Sequence, residues 1–315
     1  MAERILVTGG LGYLGSIICE HLLDAGHEVT ALDNLLYGTG QQALYHLCAN
    51  PAFDFIKGDV RDEAAMSSAL RRADVVIHLA AIVGAAACDR DPFLATSVNL
   101  DAARLLGRLR SPNQLVIYPN TNSGYGTTSG ESLCTEDGPI RPISLYGRTK
   151  VEAERVLLDG PNAVALRLAT VFGMSPRMRL DLLVNHFVYA AVKDSYIVIF
   201  EKDFKRNFVH VRDVADCMLH IIAHATGMTG RAFNLGLDAA NLSKEELALK
   251  IKQHVSNFYI HFAAVGKDPD QRNYIVSNRR LREAGFAARR SLDDGIRELI
   301  KGYSMEGRPL FKNAA

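Results

Sequence analysis

The sequence predicts an α/β protein: a doubly wound parallel sheet with a smaller C-terminal lobe. Three observations predict this. Short β-branched runs alternate with longer helical patterns through the first half. The chain is apolar enough to cover a sheet on both faces, as a parallel sheet requires. The second half loses this rhythm. The strands expected are RILVT (4–8), EVTALD (28–33), FDFIKGD (53–59), DVVIHLA (74–80), NQLVIYP (113–119) and AVALRL (163–168), with GRAFNLG (230–236) as a late addition. Helices are expected over 14–26, closed by Gly26, and around 93–108 and 145–159. Strands separated in this way by helices form βαβ units.

Beyond residue 173 the pattern is less regular. A short strand is expected in YIVIFE, and HVRDVADCMLHIIAHA (210–225) has a helical apolar period. Surface helices are expected over 243–254, 278–284 and 292–301. The division falls near residue 170. Residues 1–170 are expected to form the first domain, with 210–236 returning to it, and the rest of 171–315 to form mainly a smaller covering lobe.

The chain has 315 residues, 48% hydrophobic and 23% charged, a globular composition long enough for a sizeable core. A formal net charge of +1 gives no nucleic-acid footprint. Cys19, Cys48, Cys88, Cys134 and Cys217 are odd in number and form no CxxC or metal-ligand cluster, so reduced, mostly buried thiols in a cytoplasmic protein are expected. The histidines are scattered. His78, His210 and His220 read as satisfied interior or near-surface residues, and no metal is expected. No cleavable leader and no membrane-spanning run is expected.

TGGLGYLGS (8–16) sets Gly9, Gly12 and Gly15 three apart, directly after a strand and opening a helix. Such glycines let the backbone approach a diphosphate, and the helix start offers free N–H groups and a positive dipole end. This is the Rossmann-type arrangement. Tyr13 and Leu14, inside the turn, are expected to touch the cofactor too. Asp33 closes the second strand, eighteen residues after Gly15, where a carboxylate accepts ribose hydroxyls and favours NAD. Asn34 follows it, and NLLY (34–37) offers no arginine for a 2′-phosphate. Asp59, in GDVRD, faces the adenine or caps a helix. HLAAIVGA (78–85) leaves room for a cofactor or for close helix packing.

Tyr146 and Lys150 lie four apart at a helix start, hence on one face. A nearby cation favours the phenolate of a tyrosine, whose ordinary pKa is near 10. The alternative is an amphipathic helix with a solvated lysine. Thr121, Asn122 and Ser123 end the fifth strand, where parallel-sheet ligands lie. Together these parts suit hydride transfer with a phenolate as base. Basic loops bring Lys202, Lys205 and Arg206, Lys267 and Arg272, and Arg177 and Arg179, candidates for a substrate diphosphate or for solvated charge.

With these motifs in order, the chain resembles the extended short-chain dehydrogenases/reductases, specifically the NAD-dependent nucleotide-sugar epimerases and dehydratases. TGGLGYLG, Asp33-Asn34, GDVRD, HLAA, YGRTK, RNFVHVRDVAD and FNLG carry the resemblance over nearly the whole chain. It implies that Tyr146 is the acid/base and that Lys150 lowers its pKa and binds the nicotinamide ribose. It implies that Thr121 bonds the sugar O4, that Asp59 and Val60 meet the adenine region, and that Leu79, Ala80 and Ala81 line the cofactor. Asn99 joins the cofactor contacts. Arg206 and Arg272 match positions that bind the substrate nucleotide's phosphates, with Asn185 and Thr170 on the substrate side. Helices 93–108 and 145–159 imply a homodimer.

The chain departs from the family pattern too. Asn122 and Ser123 stand where the 4,6-dehydratases carry Asp-Glu, which argues against dehydration. Thr170 stands where many epimerases have asparagine. A 4-epimerase and a C4 dehydrogenase that releases a 4-keto product are the two enzyme readings. A nucleotide-sensing descendant of the fold is a third, against which the intact Tyr146 and Lys150 argue.

Overall fold

The structure is a computed structural model and describes residues 2–38, 41–126, 133–264 and 274–305. In chain order its strands are β1 (Arg4–Thr8), β2 (Glu28–Asp33), β3 (Phe53–Lys57), β4 (Val75–His78), β5 (Leu115–Thr121), β6 (Leu133–Cys134), β7 (Ala163–Leu168), β8 (Thr170–Phe172), β9 (Tyr196–Ile199), β10 (Lys205–His210), β11 (Arg231–Leu235), β12 (Asn241–Ser243), β13 (Tyr259–Phe262) and β14 (Ile275–Val276). The helices are α1 (Tyr13–Asp24), α2 (Glu63–Leu70), α3 (Ala85–Arg90), α4 (Pro92–Thr96), α5 (Ala102–Leu109), α6 (Leu145–Leu158), α7 (Leu183–Tyr189), α8 (Val211–Met228), α9 (Lys244–His254), α10 (Arg279–Glu283) and α11 (Leu292–Met305).

Seven strands form one parallel sheet in the order β3-β2-β1-β4-β5-β7-β11. Side chains alternate across a strand, so each strand feeds two cores. In β1, Ile5 and Val7 join α1 and α8 residues such as Ile17, Ile18, Val214 and Met218 on one face. Leu6 joins the opposite core with Met66, Leu70, Leu106 and Leu157. The same split separates Ile117 from Val116 and Tyr118 in β5. Helices thus cover both faces, as the composition predicts. β11 pairs with β7 in parallel, and α8 packs on α1.

The remaining strands make smaller pieces. β8, β10 and β12 form one sheet, β9 pairs with β13, and β6 pairs with β14. Two boundaries shift in ways that matter. The third strand stops at Lys57, so Asp59 lies on the loop beyond it. The fifth strand runs on to Thr121, which places that residue at the strand's C-terminal end. The helix expected over 93–108 is interrupted by a π-helical turn, Ser97–Asp101, between α4 and α5. Within that turn the buried Asn99 amide accepts from Ile82 N and donates to Ile82 O, at 2.8 and 3.0 Å.

A buried ionic network locks α6 to the sheet. Arg167 on β7 pairs with Glu154 on α6 at 2.7 Å, with both side chains under a tenth exposed. Burial alone opposes the Arg167 charge, but hydrogen bonds and attraction from Glu154 outweigh it and raise its pKa. Asn120 Nδ2 donates to the same carboxylate, and Arg167 also donates to Tyr125 Oη at 3.1 Å. Breaking one partner of such a pair strands a buried charge. Glu154→Ala is therefore expected to cost about 3–5 kcal/mol in urea unfolding. The double change Glu154→Leu with Arg167→Met should recover most of it. A single-variant loss below about 1 kcal/mol would show that this pair does not hold the helix.

Candidate active site

A cleft of about 520 Å³ opens where β1, β2, β4 and β5 end. One end is built by the glycine turn. Gly9 has φ +70°, and a Cβ there would lie 2.8 Å from Ala80 N. A Cβ on Gly15 would lie 2.3 Å from Gly9 O, so α1 can sit this close to the turn only without it. Gly12 caps α1 and no side chain bonds the first-turn N–H groups. This leaves an uncapped helix N-terminus facing the cleft, a ready diphosphate site.

Asp33 closes β2 beside it. Its carboxylate accepts from Leu11 N at 3.1 Å and Leu35 N at 2.9 Å, which fixes its aim, and burial raises its pKa. Asn34 Nδ2 donates to Asp59 at 3.0 Å. Arg61 pairs with Asp59 at 2.7 Å and holds its carboxyl well below the usual range. Asp59 lines the cleft, and the cap of α2 is Asp62, so Asp59 is not the helix cap. Val60, Leu79, Ala80 and Ala81 line the cleft. Taken together, the uncapped turn and the aimed Asp33 carboxylate fit a dinucleotide cofactor.

The chemical residues meet on another part of the same wall. Ser144 caps α6 through Gly147 N at 3.1 Å, so Tyr146 and Lys150 fall in its first turns. Both line the cleft with Thr121 and Asn120. Lys150 is buried. Its Nζ donates to Pro119 O at 2.7 Å and sits 4.0 Å above the Tyr118 ring. Burial lowers its pKa to about 7. Thr121 Oγ1 lies 2.8 Å from Ser123 Oγ and accepts from Ser123 N. Beneath them His78 is held by Thr8 through Nδ1 at 2.8 Å, while its Nε2 has no partner among the described residues. It is therefore only half satisfied, contrary to expectation, and burial followed by Lys150 lowers its pKa to about 3. His210 meets Glu298 at 2.6 Å and His220 meets Ala284 O at 2.8 Å.

Four expected contacts lie away from the cleft wall. Asn99 spends its amide on Ile82. Asn122 and Ser123 are buried behind Thr121, where a tight turn folds them into the protein. Asn185 is fully buried: it accepts from Gly173 N and donates to Arg179 O and Tyr13 Oη. It positions other residues and has no room to meet a ligand. Tyr13 Oη donates to Gly173 O at 2.7 Å, and Ser175 Oγ donates to Tyr13 O at 2.8 Å. These bonds fasten segment 173–185 to α1.

Arg177 and Arg179, expected near the substrate phosphates, ride on that fastened segment. Arg177 stacks on the ring of Tyr37, just beyond Asp33, at 4.8 Å. Arg179 pairs with Asp181 at 2.5 Å. Arg206, buried on β10, lies 5.8 Å from the Tyr274 ring and lines the cleft with Thr170 and Lys244. Lys202 is taken by Glu245 at 2.7 Å. Arg272 and Lys267 lie outside the described residues. Tyr37, Asn120, His186, Lys244 and Tyr274 also line the cleft and are absent from the residues expected there. Only Asn120 had a local signal, its place next to Thr121 at a strand end.

All five cysteines are free, four buried and Cys48 exposed. Among the described residues no helix is long and apolar enough to cross a membrane.

Residues 5–236 match the model of the NAD dependent epimerase/dehydratase family. The chain is 30% identical over 263 residues to an uncharacterized UDP-glucose epimerase, YtcB, of Bacillus subtilis, covering 79% of both chains. It is 28% identical to a dTDP-glucose 4,6-dehydratase of Actinoplanes sp., covering 95% of this chain and 97% of the relative. A UDP-glucuronic acid 4-epimerase from Bacillus cereus, solved with UDP-glucuronic acid and NAD, shares the fold at TM-score 0.82 and 24% identity, covering 96% of this chain and 99% of that one. With the family model spanning the glycine turn, the Tyr146–Lys150 helix and the returning seventh strand, the chain belongs to the NAD dependent epimerase/dehydratase family and is an NAD-dependent enzyme.

Proposed function

We propose that this enzyme is a nucleotide-sugar epimerase, and that it inverts C4 by transient oxidation. The observation that carries the reading is the shared wall of Thr121, Tyr146 and Lys150, in one cleft with the uncapped glycine turn and with Arg206. Relatives named as UDP-glucose epimerases and dTDP-glucose dehydratases support a nucleotide-sugar substrate. Bound NAD supplies the hydride acceptor and donor. Residues 1–170 with 210–236 hold it, and the remainder of 171–315 supplies most of the substrate wall.

The protein's own groups then have distinct tasks. Tyr146 takes the C4 hydroxyl proton and later returns it. The Lys150 charge favours the phenolate. Thr121 orients the sugar oxygen, while Arg206 meets the substrate diphosphate. Dehydration needs a second acid/base pair beside the threonine, and Asn122 and Ser123 supply no acid there. The fastening of segment 173–185 to α1 favours a retained cofactor, hence hydride return over release of a 4-keto product.

Tyr146→Phe is expected to keep the fold and the bound cofactor and to lose roughly 10²–10⁴-fold in kcat. UDP-, dTDP-, GDP- and CDP-sugars followed by NMR read the reaction. A stereoisomer of unchanged mass without NADH supports epimerisation. A product two mass units lighter with equimolar NADH means release of the keto sugar. Wild-type turnover by the phenylalanine variant would remove Tyr146 from the mechanism.

Lys150 carries charge below its lowered pKa and loses it as pH rises through about 7. For the free enzyme, kcat/KM is expected to fall on the alkaline side from near that pH. In Lys150→Arg, residual activity should lose this limb, because guanidinium stays charged. A wild-type profile flat to about pH 9, well above the lowered lysine pKa, contradicts the role given to the lysine.

The same reading includes a cytoplasmic setting, consistent with five free thiols, and a homodimer through α4–α5 and α6. Phe93, 82% exposed at the start of that region, supports such a contact. Sedimentation at micromolar concentration is expected to give twice the chain mass, and a monomer there would rule the dimer out.

A further inference from the structure

Five arginines are buried among the described residues: Arg110, Arg167, Arg177, Arg179 and Arg206. Four of them have hydrogen-bond acceptors. Arg110 donates to Leu157 O at 3.0 Å, Arg167 to Glu154 at 2.7 Å and Arg206 to Lys205 O at 3.1 Å, while Arg179 bonds Asp181. Arg177 is the exception. It is 4% exposed and stacks on the face of Tyr37, and the Asp181 and Asp33 carboxylates attract it through space without a hydrogen bond. Burial lowers its pKa, and Arg179 adds to that. Its guanidinium lines the cleft with no hydrogen bond to a protein acceptor among the described residues, so it is open to an anion there.

Its setting selects the missing anion. Arg177 follows Ser175, whose hydroxyl donates to Tyr13 O in the first turn of α1 and lies 3.0 Å from Ser16 Oγ. The chain two residues before Arg177 is thereby tied to the first turn of α1. Tyr37, on which it stacks, belongs to the loop after Asp33. Arg206 on β10 groups instead with Tyr274, just before β14, on the substrate side of the proposed site. A phosphate added to the cofactor's adenosine ribose would meet the Asp33 carboxylate, which disfavours that anion.

We propose that Arg177 grips the diphosphate of the bound dinucleotide from the side opposite the glycine turn, completing a clamp whose other jaw is the N-terminus of α1. This rests on NAD dependence and is independent of whether the sugar is epimerised or released. It makes segment 173–185, which belongs to the substrate side of the chain, part of the cofactor site. The clamp also gives a reason for a tightly held cofactor, since a charge-assisted contact would be broken on release.

The test uses full-length protein stripped of cofactor, with Arg177→Met and Arg177→Lys variants, read by calorimetry and thermal unfolding. For the methionine variant, Kd for NAD and for ADP-ribose is expected to rise at least about tenfold. Adenosine, which lacks phosphate, and UDP, which reports the substrate side, should change less than about twofold. The Arg177→Lys variant should retain most of the ADP-ribose affinity, because charge is kept. Without ligand, the methionine variant should melt no lower than wild type, since the change removes no hydrogen bond to a protein acceptor and keeps an apolar chain against Tyr37. Loss of UDP binding with ADP-ribose unchanged would reassign Arg177 to the substrate diphosphate. Equal loss of adenosine would mean a ribose contact instead. Tightened NADP binding in the wild type, weakened by the methionine change, would mean a 2′-phosphate site. A lowered melting point with all affinities intact would leave Arg177 a packing residue on Tyr37. Each of these four results overturns the clamp.

Discussion

A parallel sheet covered by helices on both faces has nowhere to do chemistry except at the ends of its strands. Ile5, Val7 and Ile117 are sealed under α1 and α8, and Leu6, Val116 and Tyr118 under α2, α5 and α6. Ligand-facing groups are therefore pushed to the ends of β1, β2, β4 and β5 and the residues just beyond: Gly9, Asp33, Ala80 and Thr121. The cleft is the consequence of this arrangement, and its polarity comes from backbone ends and from a few side chains held there by buried bonds.

Those bonds make the site rigid. The Arg167–Glu154 pair with Asn120 fixes α6 against β5 and β7, and so sets where Tyr146 stands relative to Thr121. Lys150 reaches across to Pro119 O, tying the same helix to the same strand a second time. Its burial gives it a pKa near neutrality, so its charge is conditional, and the Glu154 carboxylate favours the protonated form.

The second half of the chain contributes through a fastened loop rather than a separate compartment. Tyr13, Ser16, Ser175 and Asn185 bind segment 173–185 to the first turn of α1. That segment brings Arg177 and Arg179 to the cleft, and β10 and the chain before β14 bring Arg206 and Tyr274 to it.

The sheet was legible in the chain alone, because strand and helix periodicities are local properties. So were the glycine turn, Asp33 and the Tyr146–Lys150 pair, because each depends on spacing within one element or one turn. Which polar residues beyond these face the cleft was not. Asn185 and Asn99 look like ligand contacts in one dimension, yet their amides are spent on Gly173, Arg179, Tyr13 and Ile82. Arg177 and Arg179 look like two of several basic loop residues. That one is paired and the other lacks an acceptor among the described residues depends on Asp181, Tyr37 and the serine bond to α1, which come together only in the folded chain. Periodicity reports which face a residue shares with its near neighbours. Which distant group consumes its hydrogen bonds follows from long-range packing, and that is what separates a buried strut from a binding residue.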